Sequence, residues 1–212
     1  MAHAYVDPLL DITVVTPAHP ARLRNGMLDR AVRSVGMQTS PPAAHSIAVD
    51  LRGEGAASTR QRALEAVQTE WVAFLDSDDV FLERHLELLA KHAVERNADF
   101  VYSWFKILDA AGKVHEDDPI FPVTHYLDPF DPENPIETTV TTLVRTELAK
   151  SVGFHALDRG HNSNSGEDAA FTLGCLAQGA KISHLVRKTW LWAHHGMNTS
   201  GLPTKGDAAV VR

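Results

Sequence analysis

Three carboxylates, Asp76, Asp78 and Asp79, fall within four positions and follow the apolar run Trp71-Val72-Ala73-Phe74-Leu75. Carboxylates this close repel one another, and a bound cation relieves that repulsion. A hard divalent ion such as Mg²⁺ or Mn²⁺ takes one or two carboxylates, keeps some water, and completes its shell with phosphate oxygens. The apolar run reads as a buried strand of a parallel sheet, so the acids would emerge at its carboxyl end, where open α/β sheets bind ligands. Alternate side chains of an extended segment share a face, which predicts that Asp76 and Asp78 converge while Ser77 faces elsewhere. Asp78 or Asp79 could instead cap a helix starting near Leu82.

Three further groups could serve the same chemistry. Gly53 to Arg62 combines small residues, a helix start and two arginines, a setting in which Arg60 or Arg62 could reach a phosphate. Gly166-Glu167-Asp168 opens a helix after a polar loop, where a carboxylate could act as a base or merely complement the helix dipole. His194-His195-Gly196-Met197-Asn198-Thr199-Ser200 carries two imidazoles able to ligate a metal or bind phosphate.

The elements that must position these groups alternate. Ile12 to Pro17 and His45 to Asp50 read as strands. Met27 to Gln38 reads as a helix with Leu28, Ala31, Val32 and Val35 at helical spacing. Ser58 is placed to cap a helix running to Val67. Leu82 to Glu95 is helical in pattern, and Asp99 to Leu108 is β-rich and aromatic. Thr138 to Val144, Arg145 to Val152, Glu167 to Gln178 and Ile182 to Trp192 then read as strand, helix, helix and strand. This order predicts an α/β fold with a mixed, mainly parallel sheet flanked by helices. His115 to Ile136 holds five prolines and six acidic residues, a composition suited to a long loop. That loop and Gly160 to Gly166 are candidates for acceptor contacts and lid motion.

At 212 residues and 44% hydrophobic composition, the chain can bury one sizeable core. We read 1–212 as a single domain, with about 1–110 forming one half, about 111–200 the other, and 201–212 a tail. The net charge of −7 argues against a nucleic-acid or anionic-membrane surface. The single cysteine, Cys175, sits in an apolar helical pattern and reads as a small buried hydrophobe. No apolar run approaches the ~18 residues needed to cross a bilayer, and no signal-peptide pattern opens the chain, so a cytoplasmic location is expected.

Taken in order, these features resemble a family 2 glycosyltransferase of the GT-A fold. Thr69 to Asp79 is similar to that family's GEYIxFLDADD stretch, Ala57-Ser58-Thr59-Arg60-Gln61 to its small-small-Arg-Asn pattern, and Gly166-Glu167-Asp168 to its glutamate-aspartate motif. His194 to Ser200 resembles its C-terminal histidine segment. The resemblance spans about residues 11–200. Two departures are visible: Asp50 runs almost directly into Gly53, and Gln61 stands where asparagine is usual.

The resemblance implies a metal-dependent transfer of sugar from a nucleoside-diphosphate donor, UDP-sugar favoured, to an acceptor hydroxyl with inversion. Asp78 and Asp76 would hold Mn²⁺ or Mg²⁺, with His194 or His195 completing the metal or diphosphate site. Thr16, Pro17, Asp50, Arg60, Asp76 and Ser77 would line the nucleotide-sugar site. Asp168, with Glu167 beside it, would be the base. Three other readings compete: a haloacid-dehalogenase-like phosphatase using Asp76 and Asp78, a nucleotidyltransferase, and a non-catalytic sugar-nucleotide-binding module.

Overall fold

The structure, a computed structural model, describes residues 10–116, Phe130, residues 140–155 and residues 167–195. The loop sequence expected to contact the acceptor, Gly160 to Gly166, and the tail 201–212 lie outside the described residues, as does most of His115 to Ile136.

Strand β1 (Ile12–Ala18) is buried along its whole length and runs parallel to β2 (Ala44–Val49) on one side and β3 (Trp71–Phe74) on the other. A strand covered on both faces needs an uninterrupted apolar or β-branched run, which Ile-Thr-Val-Val-Thr supplies. Because the three strands are parallel, their carboxyl ends meet at one edge, and Pro17, Asp50 and Asp76 arrive there together.

The sheet continues through β7 (Thr142–Arg145), antiparallel to both β3 and β5 (Phe100–Asp109). β5 lies parallel to β8 (Ile182–His194), and the short β4 (Val80–Phe81) closes the far side against β8. β6 (Val114–His115) pairs back onto β5. The sheet is therefore mixed, with its longest registers parallel, as the sequence predicts. A bulge opposite Ser103 to Phe105 admits extra residues of β8 and bends it. The bend carries the end of β8 past β4 to the turn that follows β3.

Side chains of β3 alternate between two cores. Trp71, Ala73 and Leu75 enter one with Ala31 and Val35 of α2 (Met27–Gly36) and Leu86 and Leu89 of α4 (His85–Arg96). Val72 and Phe74 enter the other with Ala63 and Leu64 of α3 (Gly55–Glu65), Ala149 of α5 (Thr146–Val152) and Phe171 and Cys175 of α6 (Glu167–Ala177). Burial pushes the Cys175 thiol up to about 12, so it is a packing residue and not a nucleophile. A short helix, α1 (Pro20–Arg24), bridges β1 and α2 without a buried residue of its own.

Two capping expectations are corrected. α3 begins at Gly55, ahead of Ser58, and its first amides are met from upstream by Asp50. Neither Asp78 nor Asp79 caps α4, because β4 intervenes and the helix starts only at His85 with no side-chain cap. The acids after β3 are thus left for another use.

Candidate active site

β3 ends at Phe74, and the chain then turns: the Asp79 amide donates to the Asp76 carbonyl at 3.1 Å. This four-residue turn gathers the side chains. Ligand-capable atoms of Asp76, Asp78 and Asp79 lie within 4.8 Å of one another. Convergence therefore comes from a turn, not from strand alternation as the sequence suggested, and it brings in Asp79 as a third member. Ser77 is buried within the turn.

Each acid has a distinct partner. Asp76 Oδ1 accepts from Arg60 at 2.7 Å. Asp78 Oδ2 receives both Arg22, at 3.0 Å, and His195 Nε2, at 2.9 Å. Asp79 is buried and accepts from the Ala193 amide at 2.9 Å. Burial and then the charges of Asp78 and Asp76 raise the Asp79 pKa well above the usual carboxylate range. Burial raises Asp76 as well, against the pull of Arg60. Arg30 donates to the Asp78 carbonyl at 2.9 Å.

Arg60 links this cluster to the start of α6. It is 2% exposed, bonds Glu167 as well as Asp76, and lies 3.8 Å from Asp168. Its guanidinium sits 5.0 Å from the centre of the Phe154 ring. Burial works against its charge, but Asp76, Asp168 and Glu167 outweigh burial and raise its pKa. Gln61 accepts from the Phe154 amide at 2.9 Å, which fixes the ring that covers Arg60. The residue that departs from the family pattern is thus part of this support.

The remaining predicted residues fall as follows. Both Asp50 oxygens accept amides at the start of α3, from Glu54 at 2.8 Å and Gly55 at 2.9 Å. Those amides hold its carboxyl below the usual range. Thr16 is fully buried, with its hydroxyl 2.9 Å from His45 Nε2, and Pro17 is buried next to it. His194 is not among the partners of the acids, and its ring lies 5.5 Å from Trp192. Of the histidine pair, His195 is the one brought to Asp78. Arg62 pairs with Glu54 at the surface.

Sequence reasoning missed Arg22 and Arg30 as partners of Asp78. The signal available was a pair of arginines just beyond the first strand in an acidic chain. A cavity of about 470 Å³ opens beside His195, lined among others by Met27, Arg30, Asp109, Gly112 and Ala193.

The donor set suits a hard divalent ion. It is three clustered carboxylates with an imidazole at hand, and no thiolate. Counting Glu167 and Asp168, five carboxylates here meet three guanidinium groups, those of Arg22, Arg30 and Arg60. Even with the buried Asp79 protonated, four carboxylates face three guanidinium groups, and that negative excess favours a cation.

The profile of Glycosyl transferase family 2 matches residues 44–153, slightly more than half of the chain, and the chain belongs to that family. A protein of Rickettsia bellii (strain RML369-C) described as an uncharacterized glycosyltransferase is 37% identical over 65 residues, covering 31% of this chain and 9% of that protein. Among solved structures, S. aureus TarS 1-349 in complex with UDP-GlcNAc matches with a TM-score of 0.67 at 19% identity, over 94% of this chain and 63% of that one. The same protein in complex with UDP matches with a TM-score of 0.64 at 19% identity, over 87% of this chain and 61% of that one. The fold is accordingly that of the GT-A glycosyltransferases. The chain spans less than two thirds of the length of each of these proteins. No helix among the described residues is long and apolar enough to cross a membrane.

Proposed function

We propose that the chain is an inverting glycosyltransferase that moves a sugar from a nucleoside-diphosphate donor, UDP-sugar favoured, to an acceptor hydroxyl. The observation that carries this reading is the Asp76–Asp78–Asp79 cluster at the carboxyl edge of the parallel strands, joined through Arg60 to Glu167 and Asp168. One end of this array suits a diphosphate with its counter-ion, the other an acceptor. Support for the donor class comes from the family and from TarS, a protein of the same fold, in complex with UDP-GlcNAc.

In this reading Asp76 and Asp78 hold Mn²⁺ or Mg²⁺, with His195 beside them. Such an ion, when bound, neutralises charge on the departing diphosphate. The chain's own residues do the rest. Asp168 takes the proton from the acceptor hydroxyl as that oxygen attacks the anomeric carbon, while the nucleoside diphosphate leaves from the opposite face. Arg60 keeps Glu167 at a fixed distance from Asp76, so base and leaving-group site stay in register. Asp50 retains lone pairs beyond its two amide bonds and can still accept from the base or ribose next to Thr16 and Pro17. On this reading about residues 1–110 make up the donor half and about residues 111–200 the acceptor half.

The phosphatase reading fits less well, because its motif belongs after the first strand and Asp76 here is engaged by Arg60 after the third. A thermal-shift screen of nucleoside diphosphates and nucleotide sugars, with and without Mn²⁺, tests the donor class. Stabilisation by a sugar nucleotide only in the presence of Mn²⁺ is the expected result, and its absence for every nucleotide contradicts the reading. Asp168→Asn should leave donor binding intact and remove transfer. Full transfer by that variant refutes the base assignment.

A further inference from the structure

We propose that Arg22 is an exchangeable counter-ion: it neutralises Asp78 while no divalent cation is bound, yields that carboxylate when one binds, and then pairs with the donor's diphosphate. The inference rests on the function proposed above and adds a residue that neither the sequence motifs nor the comparisons single out.

Arg22 and His195 converge on the same oxygen, Oδ2 of Asp78, at 3.0 and 2.9 Å. Both Arg22 and Asp78 are largely shielded, at 13% and 17% side-chain exposure, so their attraction is only partly screened. A divalent ion on Asp78 and a guanidinium on that same oxygen repel each other, and the two cations compete for it.

Arg22, Arg30 and Arg60 differ in their freedom to move. Arg60 is 2% exposed and is held by Asp76, Glu167 and the Phe154 ring. Arg30 stands on α2, whose Ala31, Ser34 and Val35 are buried. Arg22 stands on α1, five residues long with none buried, and its other contact is the Met27 sulfur at 3.6 Å. Its support can shift without opening the core. α1 also follows directly from β1, at the sheet edge where α/β folds receive their ligands. Once free of Asp78, the planar fork of Arg22 matches two phosphate oxygens of a diphosphate.

The test separates two affinities that a purely structural residue would move together. Mn²⁺ binding to the protein alone is measured from the free-Mn²⁺ electron paramagnetic resonance signal, and UDP binding by calorimetry at saturating Mn²⁺. Arg22→Gln should tighten Mn²⁺ binding by about threefold or more, since a competing cation is gone. The same variant should weaken UDP binding by about tenfold, since a charged hydrogen bond is lost. Arg22→Lys, still cationic, should bind Mn²⁺ as the wild type does and recover part of the UDP affinity. Arg22→Gln weakening both, or leaving either unchanged, overturns the exchange. Wild-type protein that binds no Mn²⁺ overturns the metal site itself, a separate and distinguishable failure.

Discussion

The carboxylate of Asp79 accepts a 2.9 Å hydrogen bond from the amide of Ala193, fastening the end of β8 to the turn that follows β3. That bond sets where His195 meets Asp78. Asp79→Ala would remove this bond from a buried site and should destabilise the protein by about 1–3 kcal/mol. Asp79→Asn keeps an acceptor and removes a charge that burial disfavours. The folded-state pKa of Asp79 is raised, so its contribution to stability is present below the unfolded value and is lost as pH rises through the raised one. Without added metal, thermal melts should therefore show Asp79→Asn at least as stable as wild type at pH 7, with an advantage that shrinks at lower pH.

Arg60 is the buried cation among Asp76, Glu167 and Asp168. Arg60→Met fills similar volume but takes the buried positive charge away from those carboxylates. Breaking a fully buried pair from one side costs about 3–5 kcal/mol, and because solvent screens these partly exposed carboxylates the loss here should lie near the lower end. The melting temperature should fall by roughly 10 °C for a chain of this size, and the loss should lessen in acid as the carboxylates protonate. A variant as stable as wild type at pH 7 would show that Arg60 does not hold the two halves of the site together.

Helix α6, which carries Asp168, packs closely on α5. A Cβ at Gly174 would lie 2.5 Å from Val152 Cγ1, a stiff β-branched side chain. Gly174→Ala should destabilise by about 1–3 kcal/mol despite the better helix propensity of alanine. Chemical denaturation reads this directly, and a stabilised variant would contradict the packing.

His85 is fully buried, stacks on Phe81 with ring centres 4.0 Å apart, and has Nδ1 2.7 Å from the Thr189 hydroxyl. Burial lowers its pKa to about 3. The unfolded chain takes up this proton near the ordinary value of 6.5, so stability from the neutral ring is complete above that pH and is lost as pH falls toward the folded value. Imidazole resonances followed by NMR should show His85 neutral at pH 5. Titration near pH 6.5 would place the ring in solvent.

Much of the fold was legible because local patterns carried it. The β-branched run of β1, the apolar stretch of β3 and the helical spacing of α2 and α4 each encode their element within a few residues. The antiparallel insertion of β7 and the bulge that bends β8 depend on pairing far along the chain and leave no local mark. At the site, the acidic run after Trp71 announced itself. Its convergence was reached by a different geometry, a turn at Ser77 and Asp78. Ser58 looked like a helix cap because serine often is one, yet α3 starts earlier, at Gly55, and Asp50 reaches the amides of Glu54 and Gly55 at that earlier start. Arg22 meets Asp78 only through the folded sheet edge, which no spacing rule reveals.

The most direct test of the central claim is calorimetric titration of UDP into wild-type protein and Asp78→Asn, each in Mn²⁺ and in EDTA. Mn²⁺ should tighten wild-type binding by about tenfold or more, and the gain should disappear in the variant. Equal UDP affinity of the wild type with and without Mn²⁺ would contradict the claim.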